Sequence, residues 1–388
     1  MTIRTPDPHG SAARPGAGGF GEIPDAGAVS RALEAWFAVS ARRLPWREPR
    51  SGYRALVSEL MLQQTQVSRV IASFQRFVDR FPDPASLAAA AEPEVLAAWQ
   101  GLGYYRRARL LHAAARAIVE RHGGEVPSGA DALRELPGIG RYTASAIASI
   151  VHGERVPIVD GNVTRVLCRI ADAPGRMGDP ATERWAWRQA EVLVRAARSP
   201  GATNEALMEL GATVCVPGKP DCARCPLAAE CRARASGREA EVPLPKKPAT
   251  RRTLRWAVLV DADDAGVLLE RRPPRGLWAS MMQPPTVEGG PTDDARDLAR
   301  ARCARVELAG GFVHATSHRV VEFTVFRARS PVSAAPGRDP VRVPIGVLPD
   351  HALSNAAWRA LEAAGIGVRT PPGARPARPA GRRASTDS

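Results

Sequence analysis

The chain is almost without lysine. Lys219, Lys246 and Lys247 are its three lysines, so the other 51 of its 54 basic residues are arginine. It also lacks any stretch near the roughly 18 uninterrupted apolar residues that a membrane span needs, so no transmembrane protein is expected. The opening residues, MTIRTPDPHG, have no apolar core of the kind a secretory signal carries, and an intracellular protein is the default expectation. Cysteine is scarce and unevenly placed. Of six, four fall between Cys215 and Cys231, while Cys168 and Cys303 stand alone. A secreted disulfide scaffold spreads many cysteines through a short chain, whereas a tight cluster in a long chain points to a metal or iron–sulfur site.

What is present fits a folded chain of two or three domains: 388 residues, 44% apolar and 24% charged. Basic residues outnumber acidic ones by 54 to 40, a net charge of +14. Such an excess favours a polyanionic partner, most often nucleic acid, although a solubilising surface gives the same balance.

Residues 1–27, rich in Gly, Pro and Ala, are expected to be disordered. From 28 to 214 apolar residues recur at spacings of three and four, which predicts an all-helical region. Leu33, Trp36 and Phe37 share a face, as do Leu56 and Leu60, then Val67, Val70, Ile71, Phe74 and Phe77. Further helices are expected over 85–99, 104–122, 141–152, 161–171, 182–198 and 203–212. The cysteine loop occupies 215–231, and a polar, proline-containing linker 232–252. A small α+β domain follows over 253–366, with a hairpin joining Leu254–Val260 to Val267–Leu269 through Asp-Asp-Ala-Gly, an alternating strand at Val320–Arg327, and helices at 292–304 and 354–364. The residues from 367 to 388 read as a basic, disordered tail.

The most specific local signal is Cys215-x6-Cys222-x2-Cys225-x5-Cys231. Four thiolates so spaced converge on a soft metal centre, and spacing alone leaves zinc open beside an iron–sulfur cluster. Cys168 and Cys303 read as small buried apolar residues. The second signal is Leu136-Pro137-Gly138-Ile139-Gly140 followed by Arg141-Tyr142-Thr143-Ala144, a glycine turn between two helices (136–152). The N–H groups opening the second helix suit a phosphate. An ordinary helix-to-helix turn has the same composition. Twenty residues on stands Asp160, which can cap the next helix, serve a catalytic role, or do both.

Glycine hairpin, aspartate and four cysteines at 6-2-5 spacing, in that order, resemble the endonuclease III superfamily of helix-hairpin-helix base-excision glycosylases. Within it the chain is similar to the MutY family. The supporting segments are LPWR at 44–47, SELMLQQTQV at 58–67, GLGYYRRARLL at 101–111, LPGIGRYTA at 136–144, VDGNVTRVL at 159–167 and NEALMELGATVC at 204–215. The match is tight over 29–231 and loose over 251–360. It implies a mainly α, two-lobed glycosylase region with an iron–sulfur loop, plus a C-terminal α+β MutT-like domain. It implies a [4Fe–4S] cluster on the four cysteines. It also implies hydrolysis of the N-glycosidic bond of adenine in double-stranded DNA carrying A:8-oxoguanine or A:G mispairs, by a monomeric, cytoplasmic, nucleoid-associated enzyme.

Such a reaction needs an acid near the base and a negative charge near the sugar. Glu59, flanked by Val57 and by Leu60, Met61 and Leu62, is expected to hold a proton if an apolar pocket desolvates it. The resemblance gives it the role of protonating adenine and activating water, and gives Asp160 that of stabilising the sugar cation. Tyr142 and Asn162 carry over as support. Arg42, Leu44, Trp46, Arg47 and Glu205 match the walls of the adenine pocket. Gln64, Thr65, Leu102, Gly103 and Tyr104 match segments that enter the minor groove, where Tyr104 wedges beside the lesion, although the segment does not separate Tyr104 from Tyr105. Gly138 and Gly140 match the backbone-gripping hairpin, and Arg106, Arg107 and Arg109 are expected on phosphates. Bifunctional relatives use a lysine where this chain has Tyr142, which implies a monofunctional enzyme.

The C-terminal region carries Gly276-Leu277-Trp278, but Ala279-Ser280-Met281-Met282 follows where the family usually has WEFP. No carboxylate box for Mg2+ is present, since 292–304 reads TDDARDLARARCA, so no phosphohydrolase activity is expected. His314-Ala315-Thr316-Ser317-His318 matches the loop that reads 8-oxoguanine, with Ser317 and His318 as hydrogen-bonding groups. Thr316 replaces the usual aromatic, which implies weaker discrimination against guanine. The alternatives are an oxidised-pyrimidine glycosylase with lyase activity, disfavoured by Glu59 and the missing lysine, and a non-catalytic DNA-binding scaffold, disfavoured by retention of both carboxylates.

Overall fold

The computed structural model describes residues 20–367, except 249 and 317. The expected disordered tail, apart from Gly367, and most of the expected disordered lead-in lie outside the described residues. In chain order the helices are α1 (Ala26–Ser40), α2 (Gly52–Leu62), α3 (Val67–Arg80), α4 (Pro84–Ala89), α5 (Glu92–Ala98), α6 (Arg106–His122), α7 (Ala130–Arg134), α8 (Arg141–His152), α9 (Gly161–Ala171), α10 (Pro180–Ala196), α11 (Pro200–Thr213) and α12 (Arg232–Ala235). Strands β1 (Arg252–Val260), β2 (Ala262–Asp263), β3 (Gly266–Arg271), β4 (Met282–Gln283) and β5 (Thr286–Glu288) follow. Helix α13 (Ala295–Arg300), strands β6 (Val306–Ala315), β7 (Arg319–Ala328) and β8 (Pro340–Val343), and helix α14 (Asn355–Ala363) complete the chain. No described helix is long and apolar enough to cross a membrane.

The chain forms two compact units. One comprises the described residues up to Ala41 together with Gly153–Lys246; the other comprises Arg42–His152 with the described residues from Lys247 on. In the first, α1 packs on α10 and α11, and α9 is buried beside them. The apolar stripe of α1, Val29, Leu33 and Phe37, meets Val163, Val166 and Leu167 of α9 and Leu207 and Leu210 of α11. Burying such a stripe stabilises a helix far more than its intrinsic propensity does. Residues 20–25 are ordered, contrary to expectation. Phe20 stacks on Trp185 at 5.4 Å, and the backbone N–H of Ile23 donates to Gln189 at 3.1 Å. The linker is also packed at its start. Val242 is buried, and Leu244 bridges to Arg176.

In the second unit, Leu56, Leu60 and Met61 of α2, Phe74 and Phe77 of α3, Trp99 and Leu111 are fully buried. The helix expected over 85–99 is two. Pro93 lies in the first turn of α5, where its missing N–H costs nothing, and Glu94 caps the N–H of Ala91 at 3.1 Å. Ile71, expected on the inner face of α3, is 41% exposed, whereas Val70 and Phe74 are buried.

The C-terminal part has one sheet of order β5-β1-β7-β6, in which β1 and β7 run parallel, and a second in which β3 pairs with β2, β4 and β8. The expected hairpin is only partly right. The turn is present, but it joins β2 to β3, while β1 pairs with β5 and β7 in the other sheet. A parallel partner lying some 70 residues away leaves no local signal. The alternation in β7 holds, with Val321, Phe323 and Val325 buried and Glu322 exposed.

Candidate active site

Glu59 lies one turn from the C-terminal end of α2. It is half-buried between the buried Ser58 and Leu60, and its Oε2 is screened from solvent. Ser51 caps α2 by accepting the N–H of Arg54 at 3.1 Å, which fixes where the helix starts. Helix α2 packs on α8, and Gln63 Nε2 donates to Thr143 Oγ1 at 3.4 Å. The helix bearing Glu59 therefore lies beside the one bearing the half-buried Tyr142. The segment 42–47 forms a tight turn in the same unit. Arg47 donates to the Arg42 carbonyl at 2.8 Å, and Arg54 to the Pro45 carbonyl at 2.5 Å. Trp46 meets Phe74 edge-on at 5.6 Å. Arg42, Leu44, Trp46 and Arg47 are all half-buried.

Asp160 belongs to the other unit and is the N-cap of α9. Its Oδ1 accepts the N–H of Val163 at 2.8 Å, and its Oδ2 accepts Asn162 Nδ2 at 2.9 Å. Burial raises its pKa above the ordinary aspartate value, and these two donors and the nearby charge of Arg165 oppose that rise. Capping and an anion poised at a helix N-terminus are thus one arrangement. Asn162 fits because Gly211 of α11 has no side chain; a Cβ there would stand 2.6 Å from Asn162 Cβ. Glu205, also on α11, is buried at 6% exposure.

Two arginines that composition and motif did not single out join this site to the cysteine loop. Arg165 donates to Asn162 Oδ1 at 2.9 Å, to the Gly211 carbonyl at 2.6 Å and to the Cys215 carbonyl at 2.8 Å. Arg169, one turn on and 3% exposed, donates to Cys215 Sγ at 3.2 Å and to the carbonyls of Val216 and Val242, each at 2.9 Å. Their signal in the sequence is a pair of arginines four apart among Val163, Val166, Leu167, Cys168 and Ile170.

Cys215, Cys222, Cys225 and Cys231 line one cavity together with Arg169 and Pro220. Burial pushes the Cys225 thiol up to about 12 and raises those of Cys222 and Cys231. Among the described residues, no three His, Cys, Asp or Glu side chains are arranged to hold a single ion. Cys168 and Cys303 are buried elsewhere.

The loops expected to meet DNA are in the second unit. Gln64 and Tyr104 are exposed and have positive φ, 56° and 50°, while Tyr105 and Leu102 are each 4% exposed. This separates the two tyrosines: Tyr104 faces solvent and Tyr105 is core. The Leu102 side chain is likewise core, contrary to its expected place in the groove. Arg107 is also corrected. It is 6% exposed, so it does not reach a phosphate, and burial lowers its pKa to about 10. Arg109 pairs with Glu92 at 2.8 Å, and Arg106 is exposed. Gly138, at φ +77°, forms the turn before α8, and a Cβ there would stand 2.6 Å from Leu110 Cβ. Gly140 faces open space.

In the C-terminal part, Trp278 sits at φ 52° and meets His314 edge-on at 5.1 Å. The Thr316 hydroxyl accepts the N–H of Arg319 at 3.1 Å and closes the β6–β7 turn. Threonine therefore has a local structural role there. His318 is exposed, and Ser317 lies outside the described residues.

Comparison with known proteins agrees with this layout. Residues 57–191 match the HhH-GPD superfamily of base excision DNA repair proteins, and residues 255–363 match the NUDIX domain. An adenine DNA glycosylase of Rattus norvegicus is 45% identical over 223 residues, which are 55% of this chain and 43% of that one. That of Homo sapiens is 44% identical over 224 residues, covering 55% and 41%. That of Mycolicibacterium smegmatis is 42% identical over 226 residues, covering 58% of this chain and 74% of that one. The chain thus spans less than half the length of the two mammalian relatives and about three-quarters of the mycobacterial one. It belongs to the adenine DNA glycosylase family.

Proposed function

We propose that the protein hydrolyses the N-glycosidic bond of adenine mispaired with 8-oxoguanine or guanine in duplex DNA, by a monofunctional route that uses water. The observation that carries this reading is the setting of Asp160, whose two oxygens take one donor each from the first turn of α9. A carboxylate held this way suits an oxocarbenium-like sugar. Glu59 delivers the proton to the departing adenine and then draws one from the attacking water. Tyr142 and Asn162 orient the pair. Arg42, Leu44, Trp46, Arg47 and Glu205 hold the extruded base, while Gln64, Thr65, Gly103 and Tyr104 occupy the space it leaves. The N–H groups opening α8, beside Gly138 and Gly140, hold a backbone phosphate. His318 and Ser317 contact the 8-oxoguanine.

The four cysteines suit a [4Fe–4S] cluster. Soft sulfur donors line one shared cavity, and thiols raised by burial need a cationic partner to ionise. When bound, the cluster supplies iron–thiolate bonds that close the loop 215–231. Arg169 then supports the Cys215 sulfur by a charge-assisted hydrogen bond. The protein works as a cytoplasmic monomer on nucleoid DNA.

The test is excision from duplexes carrying A:8-oxoguanine, A:G or thymine glycol, with and without hot alkali, for the wild type and Glu59→Gln. Strand breaks at A:8-oxoguanine only after alkali, reduced by about 100-fold or more in the variant, are expected. Cleavage at thymine glycol without alkali would overturn the reading, as would full activity in the variant.

A further inference from the structure

Arg107 makes more hydrogen bonds than its place in a motif explains. Its Nη1 donates to the carbonyls of Leu60, Met61 and Gln63 at 2.7, 2.8 and 2.6 Å. These belong to the C-terminal turn of α2 and the residue after it, where a helix leaves carbonyls without intrahelical partners. Its Nη2 donates to Thr65 Oγ1 at 3.0 Å and to the carbonyls of Leu102 and Gly103 at 3.3 and 3.0 Å. The guanidinium lies 5.5 Å from the rings of both Trp99 and Tyr104. A buried cation whose acceptors are carbonyls and a hydroxyl on two separate loops is an expensive device for stability alone.

Those two loops carry the two strained residues of this surface. Gln64 stands between Gln63 and Thr65, both held by Arg107. Tyr104 follows Gly103, whose carbonyl Arg107 also holds. Left-handed backbone at a non-glycine residue is sterically disfavoured and persists where the surroundings fix it. The second loop has further braces. Trp99 Nε1 donates to the Gly103 carbonyl at 3.2 Å, Tyr105 Oη to the Leu353 carbonyl at 3.4 Å, and Gln100 to that of His351. Between the first loop and the second, Arg107 is joined by a long contact, 3.5 Å, from Thr65 Oγ1 to the Leu102 carbonyl.

We infer that Arg107 is a positioning residue that locks the Gln64 and Tyr104 loops into one rigid element, so that both side chains enter the duplex together when adenine is extruded. The inference rests on the proposed DNA-facing role of these loops. A lysine keeps the charge but has three donors on one atom and cannot span acceptors on both loops.

The test compares single-turnover excision of adenine paired with 8-oxoguanine against adenine in a single-nucleotide bulge, where little pairing must be broken. Arg107→Lys and Arg107→Met are expected to slow the paired substrate by about tenfold or more and to leave the bulged one within about threefold. Equal losses on both substrates would make Arg107 merely structural, and no loss on either would make it dispensable; each overturns the inference. If the wild type excises neither adenine, the proposed function fails instead. Thr65→Val supplies a milder, DNA-free measurement should the arginine variants not fold. Hydrogen exchange is expected to quicken at 101–105 as well as at 63–66, and quickening confined to 63–66 overturns the coupling.

Discussion

Asn162 donates its side-chain amide to Asp160 Oδ2 at 2.9 Å, while its own oxygen accepts Arg165 Nη2, also at 2.9 Å. The amide thus sits between a carboxylate that burial pushes toward its neutral form and a guanidinium that holds the amide in place. The proposed mechanism uses Asp160 as an anion, so activity is expected to fall as pH drops through its pKa. Because that pKa is raised in the folded protein, the acid limb of the single-turnover profile is expected above the ordinary aspartate value of 3.8. Asn162→Ala removes a donor that favours the anion, so the limb moves to higher pH. A profile unchanged by the substitution would show that Asp160 does not set this limb.

Arg169 is expected to matter more for the cysteine loop than for folding at large. Arg169→Met keeps most of the apolar stem but leaves the Val216 and Val242 carbonyls and the Cys215 sulfur without their donor. Each lost charge-assisted bond costs about 1.5–3 kcal/mol before relaxation. With the proposed cluster bound, the purified variant should therefore lose iron to a chelator faster than the wild type, measured by its visible absorbance and iron content. Equal release rates would separate Arg169 from retention of the cluster.

How far the sequence revealed this depends on how local each signal was. The boundaries of α8 and α9 were visible because period and punctuation lie within the helices themselves, and Asp160 declared itself as a cap, whereas α11 starts at Pro200, three residues before its apolar period does. Pairing of β1 with β7 was hidden, since it joins residues far apart in the chain. Arg107 and Arg165 were hidden for a different reason. In sequence an arginine reads as surface charge, and only the convergence of Leu60, Gln63 and Gly103, or of Asn162, Gly211 and Cys215, shows that these two are buried pins. Tyr104 and Tyr105 were chemically identical neighbours until burial separated them.

The scarcity of lysine gives a further prediction. With Tyr142 at the start of α8, borohydride treatment during turnover should trap no robust covalent adduct with DNA. Trapping in the wild type that survives replacement of Lys219, Lys246 and Lys247 by arginine would point to the N-terminal amine as nucleophile. Any robust adduct at all contradicts a purely water-using route.

The two hairpin glycines are predicted to answer differently to the same substitution. Gly138→Ala places a Cβ 2.6 Å from Leu110 Cβ at a backbone angle, φ +77°, that alanine resists. Overpacking and left-handed strain together destabilise by about 2–4 kcal/mol, which should lower Tm by several degrees. Gly140→Ala meets no atom within 4 Å, and its φ lies outside the left-handed region, so stability should stay within about 1 kcal/mol of wild type, the ordinary cost range of an unstrained surface change. Its effect belongs to binding instead. If the backbone here approaches a phosphate closely, the added methyl weakens affinity for an uncleavable duplex while Tm holds. Gly140→Ala with unchanged affinity would move the phosphate contact away from this end of the turn, and Gly138→Ala with unchanged Tm would mean that Leu110 yields.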